Sequence, residues 1–151
     1  MVNLDLKLTC AIARSTHLLG DKWSLLILRD MLLHKKSRFK EFMESKEKIA
    51  TNILTNRIKS LIDADLIVLL DKNSTKKSRQ YIATQKGIST LPIILELYMF
   101  SIKDINESVL NDQQIQIKKQ IISNSENFIN SKRIDYMAFK EDLLSKVIEH
   151  K

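Results

Sequence analysis

Apolar residues recur at helical spacing along most of this chain, and the pattern divides its first part into three helices. Residues 9–19 and 22–33 predict two helices separated by Gly20, with Thr9 as the N-cap of the first. The second is nearly apolar on all sides, which is typical of a helix at the centre of a core. A third, shorter helix is predicted to follow Ser37, whose hydroxyl can cap it.

Residues 50–64 predict an amphipathic fourth helix with one apolar and one polar face. Leu54, Ile58 and Leu61 share a narrow sector, so this face is expected to pack on the core. The opposite face carries short hydrogen-bonding side chains, and asparagine can make two hydrogen bonds to adenine in the major groove. An ordinary solvated face is the alternative. The residues of this helix predicted to contact DNA are Thr51, Asn52, Thr55, Asn56, Arg57 and Lys59.

Two short runs, 66–70 and 80–84, predict strands on either side of the turn-forming, lysine-rich sequence DKNSTKKS. Helix, turn, amphipathic helix and hairpin in this order predict a winged helix-turn-helix. In that fold the second helix enters the major groove and the hairpin, or wing, reaches the flanking backbone. A solvated hairpin tip is the alternative for the loop. The cations expected near phosphates or the minor groove are Lys72, Lys76, Lys77 and Arg79, and Arg38 is also predicted to contact DNA.

A long helix is predicted after Thr84, with Pro92 either bending it or splitting it in two. Its apolar stripe is longer than a small DNA-binding domain can cover, so a dimer interface shared with the N-terminal helix is expected. The residues assigned to this interface are Leu91, Ile94, Leu95, Tyr98 and Ile102.

Residues 107–151 contain two further amphipathic stretches, 112–130 and 135–150, with an interruption indicated at 123–126. They predict an added module of two helices. Packing across the dimer is favoured, because isoleucine and leucine stripes without clustered polar groups suit helix packing. The alternative is that these helices roof a cavity near the long helix, in which a small ligand binds.

Composition and charge narrow the class of protein. The 151 residues suit one DNA-binding domain, 1–106, with a helical extension, 107–151, and the 2 glycines and 1 proline favour a mainly helical chain. Of the net charge of +7, +6 lies between Lys35 and Arg79, which indicates a polyanionic partner. One cysteine excludes an intrachain disulfide, and neither a signal peptide nor a membrane-spanning run is visible. A cytoplasmic protein is expected.

Several separated motifs resemble those of HxlR-type winged-helix regulators. The run CAIARSTHLLGDKWSLLILRDML at 10–32 resembles the opening of that family, in which a cysteine, an arginine and a Gly-x-Lys-Trp turn precede an apolar helix. The segment RFKEF at 38–42 is similar to its Arg-Phe-x-Glu-Leu helix. The centre of its recognition helix resembles LTNR at 54–57, and the end of its wing resembles YIATQKG at 81–87.

The resemblance covers about residues 9–106. It implies a homodimeric bacterial regulator of transcription that binds double-stranded DNA, with the dimer made by N- and C-terminal helices. The chain departs from the family at Ala11, where proline is usual, at Ala50, where serine often opens the recognition helix, and at Gln80, where glutamate is usual. Residues 107–151 lie beyond the usual end of the family.

Cys10 is a candidate redox sensor, because some relatives sense electrophiles or oxidants through a cysteine near this position. The start of a helix and Arg14 would both favour its thiolate, whereas an unreactive, half-buried cysteine is the alternative. His17, His34 and His150 lack metal-ligand spacing, so no metal is predicted. No phosphate-binding glycine loop or catalytic triad is visible, and neither a cofactor nor an enzyme is expected.

The predicted fold is mainly α with a small β-hairpin wing (α+β). The predicted function is a sequence-specific transcriptional regulator that acts as a homodimer on a near-palindromic operator, with an oxidant, an electrophile or a small-molecule effector left open as its signal. The alternative is a helical protein-interaction module whose basic face binds an acidic protein. RNA binding is disfavoured, because the chain lacks clustered exposed aromatic residues.

Overall fold

The computed structural model describes residues 9–150, which form a mainly helical fold with one two-stranded antiparallel sheet. The helices are α1 (Ala11–Leu19), α2 (Lys22–His34), α3 (Phe39–Met43), α4 (Thr51–Asp63), α5 (Gln85–Ile88), α6 (Leu91–Ile102), α7 (Asp112–Ser123) and α8 (Ser125–Glu149). The strands are β1 (Ile67–Leu69) and β2 (Tyr81–Ala83), and a 3-10 turn, Glu107–Val109, precedes α7. This order confirms the predicted fold class. Residues 1–8, on which the signal-peptide prediction rests, lie outside the described residues.

The core is built around α2, as its apolar sequence predicts. Leu28 and Met31 are fully buried in it, and α2 packs against α1, α4, α6, α8 and β2. Phe42 of α3, Leu54 of α4 and Ile67 of β1 belong to the same cluster. The helix-turn-helix and the wing are therefore fixed to one apolar core.

The wing is a hairpin in which Val68 of β1 lies opposite Ile82 of β2. Both predicted strands are confirmed, each shorter by one residue at either end. A third segment, not predicted, joins the far edge of β2: Arg38 bridges Gln80, and the Tyr81 N–H donates to the Ser37 carbonyl at 2.7 Å. One bridged residue is too short a segment for alternation to show in the sequence.

Two predicted N-caps are wrong. Helix α1 begins after Cys10, not Thr9, and no side chain caps it. Helix α3 begins after Arg38, because the Ser37 hydroxyl accepts a hydrogen bond from Gln80 Nε2 at 3.0 Å instead. The Glu41 carboxylate accepts from the N–H groups of Ser37 and Arg38 and so stabilises this helix start.

Gly20 and Pro92 mark the helix boundaries that the sequence predicts, although Gly20 does so in a different conformation. Helix α1 ends at Gly20 as predicted, but the φ of Gly20 is −71°, so it is not a left-handed cap. A Cβ there would collide with the Thr16 carbonyl oxygen. The predicted long helix is split, with Thr84 capping α5 and Pro92 in the first turn of α6, where its missing N–H costs no hydrogen bond.

The C-terminal extension forms two helices, as predicted, but with different boundaries. The interruption at 123–126 is confirmed, because α7 ends at Ser123 and the Asn124 side chain caps α8. No break follows at 130–135, and α8 continues for 25 residues. Both helices pack on their own chain, and Tyr136, with 1% of its surface exposed, belongs to the main core.

The predicted dimer stripe of α6 requires correction. Leu91, Ile94, Leu95 and Ile102 are buried within the chain, and Tyr98 is partly buried against the cluster formed with α7 and α8. These five side chains are therefore covered by the core and by the extension, whose position the sequence pattern did not reveal. The exposed apolar side chains of α6 lie on its other face: Ile93, Leu97 and Phe100.

Candidate nucleic-acid interface

Helix α4 presents the polar face that the sequence predicts. Leu54, Ile58 and Leu61 are buried against the core. The opposite face is exposed and comprises Asn52, Thr55, Asn56 and Lys59, and Thr51 is exposed at the start of the helix. Within residues 9–150, the side chains of Asn52, Asn56 and Lys59 form no hydrogen bond or ion pair, so their donors and acceptors remain available to a ligand.

The N-terminus of α4 carries no side-chain cap. Its N-cap residue is Ala50, and no acidic residue lies in the first turn. The first N–H groups of a helix have no partner inside it, and together with the helix dipole they form a site for a phosphate. Helices α2, α7 and α8 differ, because Asp21, Asn111 and Asn124 accept from their first N–H groups. The uncapped end of α4 therefore suits a phosphate of the DNA backbone.

Two of the predicted DNA-contacting arginines also contact other parts of the chain. The guanidinium of Arg57 lies 3.7 Å from an Asp21 carboxylate oxygen, so this side chain reaches back to the start of α2. Arg38 is exposed, and its Nη1 donates to the Ser78 carbonyl at 3.4 Å. Arg38 thus joins the start of α3 to the wing loop.

The wing places its cations beside α4. Lys72, Lys76 and Lys77 are exposed, and Arg79 is partly buried. A cleft of about 320 Å³ separates α4 from the wing, and its lining includes Thr55, Lys76 and Arg79. The fold therefore brings one residue of the polar helix face together with two of the predicted wing cations.

A charged network fixes the turn of the helix-turn-helix to α2. Asp30, with 3% of its surface exposed, pairs with Arg29 Nη2 at 2.7 Å and with Lys36 Nζ at 3.1 Å, and it accepts from the Ser45 hydroxyl. Arg29 also makes two hydrogen bonds to Glu47, at 2.7 and 3.0 Å. A buried carboxylate needs such partners, because its desolvation is otherwise unfavourable.

The hydrogen bond between Arg29 and Glu47 shifts the pKa of both groups. It lowers the pKa of the Glu47 carboxyl to about 2 and raises the pKa of the Arg29 guanidinium above its ordinary value. Both groups stay ionised near neutral pH. The network was not predicted, although an aspartate inside the apolar sequence of α2 is a signal that could have revealed it.

The turn itself contains a strained residue. Lys48 has a φ of 53°, in the left-handed region that disfavours residues with a Cβ. The adjacent contact between Glu47 and Arg29 and the burial of Ile49 hold the chain in this conformation. The turn between α3 and α4 is therefore held by tertiary contacts.

Two side chains of α8 occupy the outer edge of the wing. The Ala83 N–H donates to the Tyr136 hydroxyl at 2.8 Å, and Lys140 Nζ donates to the Ala83 carbonyl at 2.7 Å. With the Tyr81 N–H bonded to Ser37, these contacts satisfy backbone groups that β2 directs away from β1. Tyr136 was predicted only as part of an apolar stripe, because its hydrogen bond spans 53 residues of sequence.

The candidate redox sensor, Cys10, lies at the N-cap of α1 and not within its first turn. Its side chain is exposed, as is that of Arg14 one turn further on. Among residues 9–150, no group of three or more metal-ligating side chains is brought together. In the same residues, every helix is too short or too polar to cross a membrane.

A family model matches this chain, and several solved structures are similar to it. The model of the family described as HxlR-like helix-turn-helix matches residues 18–110. PA1607, a candidate transcription factor with a crystal structure, is 28% identical in sequence to this chain. The match covers 70% of this chain and 72% of the PA1607 chain, with a TM-score of 0.60. PA1374 from Pseudomonas aeruginosa, also a candidate transcription factor, is 33% identical over 69% of this chain and 66% of its own, with a TM-score of 0.45.

A SlyA-like transcription regulator from Listeria monocytogenes is 17% identical over 85% of this chain and 83% of its own, with a TM-score of 0.49. No curated protein sequence matches this chain. The family model spans most of the predicted DNA-binding domain and confirms the resemblance inferred from the separated motifs. The chain belongs to the HxlR-like helix-turn-helix family and is a winged-helix transcriptional regulator.

Proposed function

We propose that this regulator binds one preferred DNA sequence as a homodimer, with α4 in the major groove and the wing on the flanking backbone. The observation that carries this proposal is the exposed polar face of α4. Its asparagine and lysine side chains have no partner within residues 9–150, and its N-terminus is uncapped. Direct readout in the major groove requires such free donors and acceptors on a helix of this kind.

The contacts divide into two kinds. Asn52, Thr55, Asn56 and Lys59 read base edges, whereas the N-terminus of α4 at Thr51 holds a phosphate. The wing cations neutralise flanking phosphates or enter the minor groove: Lys72, Lys76, Lys77 and Arg79. Arg38 supports the wing loop, and Arg57, held near Asp21, approaches the backbone from the side of α2.

The homodimer is proposed to form through the outer face of α6 and through α1. A helix that is apolar on all sides is normally buried, yet Ile93, Leu97 and Phe100 leave 42%, 48% and 75% of their surfaces exposed. Ile12 of α1 is 78% exposed. A two-fold dimer would present its two α4 helices to successive major grooves, roughly 34 Å apart, and so to a near-palindromic site.

DNA binding is tested by selecting duplexes from a random pool and measuring the affinity of the selected duplex in an excess of random competitor DNA. We expect a near-palindromic duplex with half-sites about one helical turn apart. If no duplex is preferred over the pool, sequence-specific regulation is contradicted, and a protein-interaction module with an acidic partner becomes the better explanation.

The dimer is tested by sedimentation of the wild type and of Phe100→Glu at micromolar concentration. We expect a dimeric wild type and a mostly monomeric variant, because a charge would be buried in the interface. Ile148→Glu is the matched control, since Ile148 is equally exposed, at 75%, but lies on α8. A monomeric wild type with intact DNA affinity would contradict the proposal.

A further inference from the structure

A cavity of about 460 Å³ lies between the winged-helix domain and the C-terminal extension. Helices α2 and α6 form one side of it, and α7 and α8 form the other. Its lining is mainly apolar and includes Leu95, Ile102, Ile121 and Phe128. The extension thus roofs a cavity beside α6, which is the arrangement of the less favoured of the two expectations for it. A concave apolar site of this size with a few polar groups is the usual form of a small-molecule site.

The charged groups around this cavity are all cationic, with no aspartate or glutamate in the lining. Arg29 lies at the rim, but its charge is matched by Asp30 and Glu47. Partial desolvation lowers the pKa of His34, which disfavours the charged form of its imidazole. Lys132 differs, because it forms no ion pair within residues 9–150 and its ammonium lies 5.4 Å from the centroid of the Phe128 ring.

Lys132 and Phe128 therefore place one uncompensated positive charge beside the apolar lining. Gln113 of α7 and Tyr98 of α6, which both carry hydrogen-bonding groups, line the same cavity. A ligand that matches this arrangement has one negative charge at one end and a hydrocarbon body. At about 460 Å³, the space suits a molecule of roughly ten to twenty non-hydrogen atoms.

We propose that this cavity binds an amphiphilic monocarboxylate, with the carboxylate at Lys132 and the hydrocarbon tail against Leu95, Ile121 and Phe128. The carboxylate gains a charge-assisted hydrogen bond, and the tail removes apolar surface from water. The extension supplies Lys132, Phe128 and Ile121, so the site depends on residues beyond the segment that the family model matches.

The helix that lines this cavity also holds the wing. The first two turns of α8 supply Phe128 and Lys132 to the cavity, and further along the same helix Tyr136 and Lys140 bond both backbone groups of Ala83. An unbroken helix moves as one body, so a ligand that displaces the first turns of α8 also disturbs β2. Binding of the carboxylate thus weakens the hold on the wing and lowers affinity for DNA. This last step rests on the proposed function, whereas the binding site does not.

Ligand binding is tested by calorimetry on the full chain without DNA, with decanoate as the probe. Decanol and decyltrimethylammonium serve as neutral and cationic probes with the same tail. We expect decanoate to bind at least about tenfold more tightly than either. Lys132→Met keeps the length of the side chain and should abolish the preference for decanoate over decanol. Lys119→Met is the control and should retain the preference for decanoate, because Lys119 is an exposed residue of α7 outside the cavity.

Coupling to the wing is tested by amide hydrogen exchange of the protein alone, so that a failure of DNA binding cannot be mistaken for a failure of this inference. Decanoate should speed exchange at the Ala83 amide in the wild type but not in Lys132→Met. Tyr136→Phe, which removes the acceptor of that amide, should bind decanoate within about twofold of the wild type and show fast exchange already without ligand.

Equal binding of decanoate and decanol to the wild type, or no binding of either, would overturn the carboxylate site. Binding of decanoate with exchange altered only in α7 and α8 would overturn the coupling. A selected operator whose affinity falls in decanoate, and does not fall for Lys132→Met, would support both parts.

Discussion

Helices α4 and α8 both pack an apolar face on the same core, but they use their polar side chains in opposite ways. In α4, Asn52 and Asn56 extend into solvent without a partner among residues 9–150, and the first N–H groups have no side-chain cap. In α8, Asn124 caps the first turn, and Tyr136 and Lys140 both bond the backbone of Ala83.

The difference distinguishes the outer face of α4, which is free to bind a partner, from the polar side chains of α8, which stabilise the fold. Hydrogen-bonding groups that are satisfied within the chain stabilise the fold, whereas groups left unsatisfied on an ordered helix can bond a ligand with little further loss of conformational entropy. The extension thus supports the wing, and the outer face of α4 is the surface that we propose contacts DNA. Substitutions of the α8 side chains that bond Ala83 should therefore lower the free energy of unfolding. Substitutions on the outer face of α4 should change DNA binding alone.

Tyr136→Ala should have the largest effect. It removes a side chain with 1% of its surface exposed and leaves the Ala83 N–H without its acceptor, so the free energy of unfolding should fall by about 3–5 kcal/mol. Urea denaturation measures this change. Ile134→Ala, on the same helix but 69% exposed, should stay within about 0.5 kcal/mol of the wild type. Equal effects of the two substitutions would contradict the supporting role of α8.

Asn56→Ala should leave the free energy of unfolding unchanged and relax sequence preference at one base pair. We expect a loss of roughly 1–3 kcal/mol in binding of the preferred duplex and little change for random DNA. Competition binding against single-base variants of the selected duplex measures it. Ser60→Ala is the control, because the Ser60 hydroxyl already bonds the Asn56 carbonyl within the helix.

Lys77→Ala should weaken binding to preferred and random duplexes equally, because a wing cation contacts phosphate and not bases. The slope of log affinity against log salt concentration should fall by about 1. Titrations at several salt concentrations measure it, with Lys119→Ala on α7 as a control of equal charge that should leave the slope unchanged. If Asn56→Ala and Lys77→Ala behaved alike on both kinds of duplex, the division between α4 and the wing would be wrong.

Glu47→Gln should have the smallest effect, which is present near neutral pH and disappears as the pH falls toward 2. The hydrogen bond from Arg29 lowers the pKa of Glu47 from 4.5 to about 2 in the folded chain, so ionised Glu47 stabilises the fold above pH 4.5, and this contribution is lost as pH falls toward 2. The variant should therefore lose less stability across that window than the wild type. Thermal melts from pH 6 to 2 measure this, with Glu149→Gln as the control. Parallel curves for wild type and Glu47→Gln would contradict the pairing.

Local pattern predicted the DNA-binding half of the fold because its elements are short and each carries its own signal. Leu54, Ile58 and Leu61 define the buried face of α4 through helical spacing alone. The β-branched runs and the polar loop between them define the hairpin. The family motifs lie in these same segments, and the family model matches residues 18–110 accordingly. The polar face of α4 could therefore be identified from the sequence.

Which apolar face of α6 is covered could not be predicted from its sequence, because both of its faces are apolar. Leu95 is buried against Ile121 of α7 and Phe128 of α8. On the other face of α6, the side chains of Ile93, Leu97 and Phe100 are exposed. Periodicity describes one helix and carries no information on which distant helix packs against it.

The sequence by itself determined the order of the helices, the hairpin, the basic segment and the polar face of α4, since each depends on residues close together in the chain. Only the tertiary structure decided the roles of Asp30, Tyr136 and Lys132. Asp30 is buried among partners up to 15 residues away, and Tyr136 bonds an amide 53 residues away. Lys132 acquires a role from the cavity that four separate helices enclose. These roles arise from contacts between distant segments, which no local pattern specifies.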